Sequence, residues 1–144
     1  MAVPYYTPIS GEPVHRGAGT GDTFWGPADV YTLLVTGEET GGAYFSMEAL
    51  VEPGGGPPPH VHRDEDETFY VLEGHCTFRL GERTISAGPG DFVNVPRGTV
   101  HSFRNRSSGI VRLILTFTPA GIEDVVIARY TAAAPPSGLR LVDD

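Results

Sequence analysis

Glycine and proline interrupt this chain too often for a long helix to form. Nineteen glycines and thirteen prolines are spread along 144 residues, and inside a helix they cost about 1 and 3 kcal/mol respectively. Between them stand short runs rich in Val, Ile, Phe, Tyr and Thr, the residues that suit a pleated, half-buried surface. Many short strands joined by turns give an all-β sandwich or barrel. Strands are expected over residues 30–36, 43–51, 67–72, 76–80, 83–85, 92–95, 101–105 and 111–118. Gly81-Glu82 lies between two alternating runs as a tight hairpin turn. Pro119-Ala120-Gly121 breaks the last strand, and the segment 122–129 then fits either a short helix or an edge strand over 125–130.

A chain of this length buries roughly two-thirds of its unfolded surface, and 40% hydrophobic residues supply one core. The expected organisation is an N-terminal arm over 1–28 with the single tryptophan, Trp25, a barrel over 29–131, and a tail over 132–144. One cysteine, Cys76, excludes an intramolecular disulfide and reads as a buried small hydrophobe. No apolar run approaches the roughly 20 residues that cross a bilayer, and the first residues lack the basic and apolar regions of a signal peptide. A soluble cytoplasmic protein with no membrane partner is expected. The net charge is −8, and all ten basic residues are scattered arginines, so a nucleic-acid partner is not expected. Without lysine there is no Schiff-base chemistry.

Two blocks carry the chemistry. The first runs from Gly54 through Pro57-Pro58-Pro59-His60-Val61-His62 to Glu67 and Gly74. Histidines one residue apart in an extended chain point to the same face, so His60 and His62 aim together. Glu67 shares the side of its strand that carries Phe69 and Val71, and a carboxylate on a buried face needs a partner. The acidic run Arg63-Asp64-Glu65-Asp66 reads as a solvated loop. In the second block, Pro96-x-Gly98 turns the chain and His101 begins the next strand. Imidazole suits zinc, copper, iron or nickel, and a carboxylate adds hard oxygen and negative charge. His60, His62, Glu67 and His101 are therefore the candidate ligands of one divalent transition metal (Fe, Mn, Ni, Co, Cu or Zn). His15 and His75 are expected to be exposed, and Glu48 and Glu73 to face solvent.

Together the blocks resemble the paired motifs of the cupin superfamily. Gly-x5-His-x-His-x4-Glu-x6-Gly is met by Gly54, His60, His62, Glu67 and Gly74, and Gly-x5-Pro-x-Gly-x2-His-x3-Asn by Gly90, Pro96, Gly98, His101 and Asn105. The matched region covers roughly a third of the chain. The resemblance implies a double-stranded β-helix (jelly-roll) barrel, the same four residues as metal ligands, and a homodimer. The Pro-rich approach to His60 and the run Glu67-Thr68-Phe69-Tyr70-Val71-Leu72-Glu73-Gly74 are similar to single-domain cupins of the quercetin 2,3-dioxygenase type. That likeness implies a dioxygenase acting on a small enol- or phenol-containing substrate, flavonol-like, with Glu67 as both ligand and catalytic base. The alternatives are a non-oxidative isomerase, lyase or cyclase, or a non-catalytic binder of small molecules. Phe45, Met47, Phe69, Phe103, Leu115 and Phe117 fit the barrel interior, as core or as lining of a substrate pocket.

Overall fold

Alternation of buried and more exposed residues marks most of the strands, clearest over Phe45–Val51 and Val111–Thr118, and their inward rows build the core. The computed structural model describes residues 12–129. In chain order these form β1 (Thr23–Trp25), β2 (Asp29–Val35), α1 (Gly37–Thr40), β3 (Phe45–Val51), β4 (Asp66–Glu73) and β5 (Cys76–Leu80). Then follow β6 (Arg83–Ala87), β7 (Phe92–Val95), β8 (His101–Arg104), β9 (Val111–Thr118) and α2 (Glu123–Arg129). Two antiparallel sheets result, one ordered β1-β2-β3-β9-β4-β7 and the other β6-β5-β8. They pack face to face through a single apolar core. This is the all-β architecture expected from the strand pattern, in the jelly-roll form that the resemblance implied. The tail over 132–144 lies outside the described residues. No helix is long and apolar enough to cross a membrane among them.

Register sorts the inward side chains into layers. One row crosses the large sheet as Phe45, Phe117, Glu67 and Val95, and the next as Met47, Leu115, Phe69 and Val93. Across from the second row, Phe69 meets Phe78 and Phe103 of the small sheet at ring-centroid distances of 5.0 and 5.6 Å. Edge-to-face contacts of this kind add to burial, which contributes about 2–3 kcal/mol for each such ring. This aromatic layer floors the barrel beneath the row that carries Glu67.

Local chemistry explains where the strands stop. Gly81-Glu82 forms the expected two-residue hairpin, with positive φ at Gly81 and at no non-glycine residue, the φ pattern of a type II′ turn. Thr36, expected as a strand end, instead caps α1 with a capping box closed by Glu39. Within the segment 122–129, Glu123–Arg129 forms a helix rather than an edge strand. Glu123 and Asp124 occupy its first turn, Arg129 its last, and Ile122, Val125 and Val126 recur at helical spacing. Thr23–Trp25, within the segment expected as an arm, pairs with β2 as an edge strand.

Candidate metal centre

Four side chains converge at one end of the barrel. His60, His62, Glu67 and His101 place one potential ligand atom each within 4.8 Å of all the others. Glu67 stands at the start of β4 and His101 at the start of β8, both nearly excluded from solvent. The histidine pair arrives on the strap that follows β3. A two-way backbone bridge ties that strap to β8, with His60 N–H donating to His101 O and His101 N–H to His60 O, both at 2.9 Å. Gly98 N–H donates to His62 O at 2.8 Å, which fixes the second histidine against the Pro96–Gly98 turn.

Three further features hold this frame. Gly56 has φ 126°, and a Cβ there would lie 2.0 Å from the Phe103 carbonyl oxygen, so only glycine lets the strap pass so close to β8. The amide of Asn105, fully buried, donates to the carbonyls of Val51 (2.9 Å) and Gly109 (2.7 Å). Asp66 does more than the solvated loop expected for it: it accepts from the backbone N–H and the guanidinium of Arg97 at 2.9 and 3.0 Å, pinning the turn to β4.

The hydrogen bonds also set the protonation of the rings. Nδ1 of His60 lies 2.8 Å from Pro58 O, and Nδ1 of His101 lies 2.8 Å from Thr99 O. A carbonyl only accepts, so each Nδ1 carries the proton and each neutral ring presents the lone pair of Nε2. Nε2 of His101 and of His62 sit 3.0 and 3.2 Å from the same oxygen, Oε1 of Glu67. A lone pair facing a carboxylate oxygen at that distance repels it. A cation belongs between them, either a proton or a metal, and the donor set of three imidazoles and one carboxylate fits a divalent transition metal. Burial works to raise the Glu67 pKa, but where that cation is a proton the hydrogen bonds from His101 and His62 outweigh it and hold the carboxyl below its ordinary range. Burial likewise opposes charge on His101, where the Glu67 carboxylate and the Thr99 carbonyl prevail and raise the pKa. For His60 burial wins, and the pKa is lowered.

The cluster opens onto a cavity of about 390 Å³. Met47, Phe103, Leu115 and Phe117 line it, as the sequence suggested. Phe45 and Phe69 do not. Phe45 is stacked behind Phe117 at 5.8 Å, which screens it from the opening, and Phe69 belongs to the aromatic layer below. Sequence reasoning missed Tyr31 and one whole wall, where Ile122, Val125, Val126 and Arg129 bring α2 over the site. The helical spacing of those four residues was the available signal. His15 and His75 are exposed, as expected. Glu48, expected in solvent, is half-buried, and it and the exposed Glu73 flank Arg112 at 3.9 and 3.5 Å. Cys76 is buried and its thiol is pushed up to about 12 by burial, so it is no nucleophile.

A family model described as a cupin domain matches residues 47–117, spanning β3 to β9 and all four converging side chains. The chain belongs to the cupin superfamily. This cupin is 32% identical over 87 residues to quercetin 2,3-dioxygenase of Bacillus subtilis (strain 168), covering 60% of this chain and 26% of that protein. It is 36% identical over 93 residues to germin-like protein 1-1 of Oryza sativa subsp. japonica, covering 58% of this chain and 42% of the rice protein. The cupin therefore spans less than half the length of these two relatives. An RmlC-like cupin from Shewanella frigidimarina NCIMB 400 superposes with a TM-score of 0.65 at 22% identity, covering 79% of this chain and 97% of that one. That likeness establishes the shared fold.

Proposed function

We propose that this cupin is a metal-dependent dioxygenase that oxidises a small enol- or phenol-containing molecule of flavonol-like chemistry. The observation that carries the reading is the convergence of half-buried His60 and His62 with buried Glu67 and His101 where they open onto a largely apolar cavity. Identity of 32% to a quercetin 2,3-dioxygenase over the matched region supports it further. A divalent transition metal held by the four residues would supply Lewis acidity and, if redox-active, a path for electrons to dioxygen.

The chain's own residues have separable tasks. Phe117, Met47 and Leu115 receive the apolar body of the substrate, while Val125 and Val126 on α2 limit the entry of water. Glu67 takes the proton of the enol or phenol hydroxyl. Both histidine contacts fall on its Oε1, which leaves Oε2 to receive that proton.

The test is oxygen consumption with a panel of flavonols and smaller enols, on protein loaded in turn with each candidate metal. Glu67→Gln should retain metal in large part and lose turnover by roughly a hundredfold or more, the usual worth of a positioned base. Undiminished oxygen uptake by that variant would remove Glu67 from the role of base. Absence of uptake with every metal would replace the dioxygenase by a non-oxidative cupin enzyme or a binder.

A further inference from the structure

Arg129 is the one cationic side chain other than the histidines that lines the cavity, and no carboxylate but Glu67 accompanies it there among the described residues. Its side chain is exposed at the C-terminal end of α2, and no ion pair or hydrogen bond engages it within those residues. An arginine in the last helical turn is favourable to the helix dipole wherever it points. The dipole does not account for its place on the cavity wall beside Ile122, Val125 and Val126.

Charge makes that place informative. A divalent ion on three neutral imidazoles and one carboxylate leaves a net positive charge at the cavity floor, and Arg129 adds another at the wall. This occurs in a protein whose net charge is −8, so the positive cavity is not a by-product of composition. Water solvates the exposed Arg129 until a ligand fills the cavity, and an anionic group on that ligand then meets a guanidinium with no competing carboxylate but Glu67 among the described residues lining the cavity.

We propose that Arg129 determines specificity by selecting substrates that carry a carboxylate on the side of the molecule away from their metal-binding oxygens. This rests on the metal-site reading above and extends it. A planar carboxylate accepts two parallel N–H bonds from one guanidinium. A phosphate would call for more donors than the surrounding Ile122, Val125 and Val126 supply. The substrate class is thus a small organic acid with an apolar or aromatic body, an oxygen-rich head at the His60 end and a carboxylate at the α2 end.

α2 is anchored so that Arg129 keeps this position. Glu123, nearly buried, accepts from Gly37 N–H at 2.7 Å and from Gly121 N–H at 2.6 Å, tying the start of the helix to α1 and to its own leading turn.

Calorimetric binding to zinc-loaded protein tests the inference without requiring turnover. The probes are comenate, a hydroxypyranone carboxylate, and its methyl ester, which share one chelating hydroxyketone and differ only in the charge on the far side of the ring. The wild type should bind comenate more tightly than the ester by on the order of tenfold, the worth of a charge-assisted hydrogen bond. Arg129→Gln should abolish that preference while leaving ester affinity and zinc stoichiometry unchanged, and Arg129→Lys should restore part of it. Equal affinities in the wild type, or a preference that survives in Arg129→Gln, would overturn the role of Arg129 while leaving the metal site standing. Failure of the wild type to take up zinc would instead overturn the metal site and the inference with it.

Discussion

Removing the amide of Asn105 should cost this protein about 3 kcal/mol, because that one side chain closes four hydrogen bonds where three chain segments meet. Its Nδ2 donates to Val51 O at 2.9 Å and Gly109 O at 2.7 Å, while its Oδ1 accepts from Ser107 N–H at 3.0 Å and the Ser107 hydroxyl at 2.6 Å. In Asn105→Ala these partners fare differently. Val51 is fully buried, so water does not replace the bond lost at its carbonyl, at a cost of about 1–3 kcal/mol. Gly109 is exposed and Ser107 only half-buried, so water replaces those bonds at about 0.5 kcal/mol each. In a domain of this size the total corresponds to a fall of roughly 10 °C in Tm. Asn105→Asp provides the sharper comparison. It keeps both bonds from Ser107 but sets a carboxylate oxygen against two carbonyls. The introduced carboxyl therefore has a folded pKa above its unfolded value, so its stability is best in acid and is lost as pH rises through the folded pKa. Thermal melts followed by circular dichroism at acidic and neutral pH read both variants. A fall of less than about 2 °C for Asn105→Ala, together with a flat pH response for Asn105→Asp, would refute the hydrogen-bond assignment.

Gly56→Ala should destabilise by about 3 kcal/mol or more and also weaken zinc binding, since its methyl group would meet Phe103 O and displace the strap bearing His60. A melt and a zinc titration equal to wild type would contradict that geometry. In chelator-treated protein the depressed pKa of Glu67 contributes stability above its ordinary 4.5 and loses it as pH falls through the folded value. The raised pKa of His101 contributes below 6.5 and loses it as pH rises through the folded value, so the pair helps most between 4.5 and 6.5. Added zinc should accordingly raise Tm more at neutral than at acidic pH, where protons compete for the imidazoles. A zinc-induced rise independent of pH would argue against histidine ligation.

Much of this architecture was legible because strand periodicity and spaced motifs are local. His60 and His62 share a face by period two, Glu67 follows from the side it shares with Phe69 and Val71, and Gly81 marks its hairpin. Depth along the barrel was not legible. Phe69 and Phe117 both point inward, yet only Phe117 meets the cavity, because cross-strand register places Phe69 one layer deeper against Phe78 and Phe103. The α2 wall was missed for another reason. Seven residues with alternating and helical patterns superposed do not choose between strand and helix until Glu123 finds its partners at Gly37 and Gly121. Arg129 acquires meaning only after that choice is made.

The backbone bridge between His60 and His101 decides when the entropy of assembling the site is spent. These residues are far apart in sequence, yet they face each other as neighbours in a ladder, and each Nδ1 is held by a carbonyl two residues away in its own chain segment. Folding thus closes the loop and orients the rings before any ion arrives. A zinc finger behaves in the opposite way, folding only as its ligands are gathered. Here an ion spends its binding free energy on coordination and on displacing a proton, so it can leave and return without the barrel coming apart.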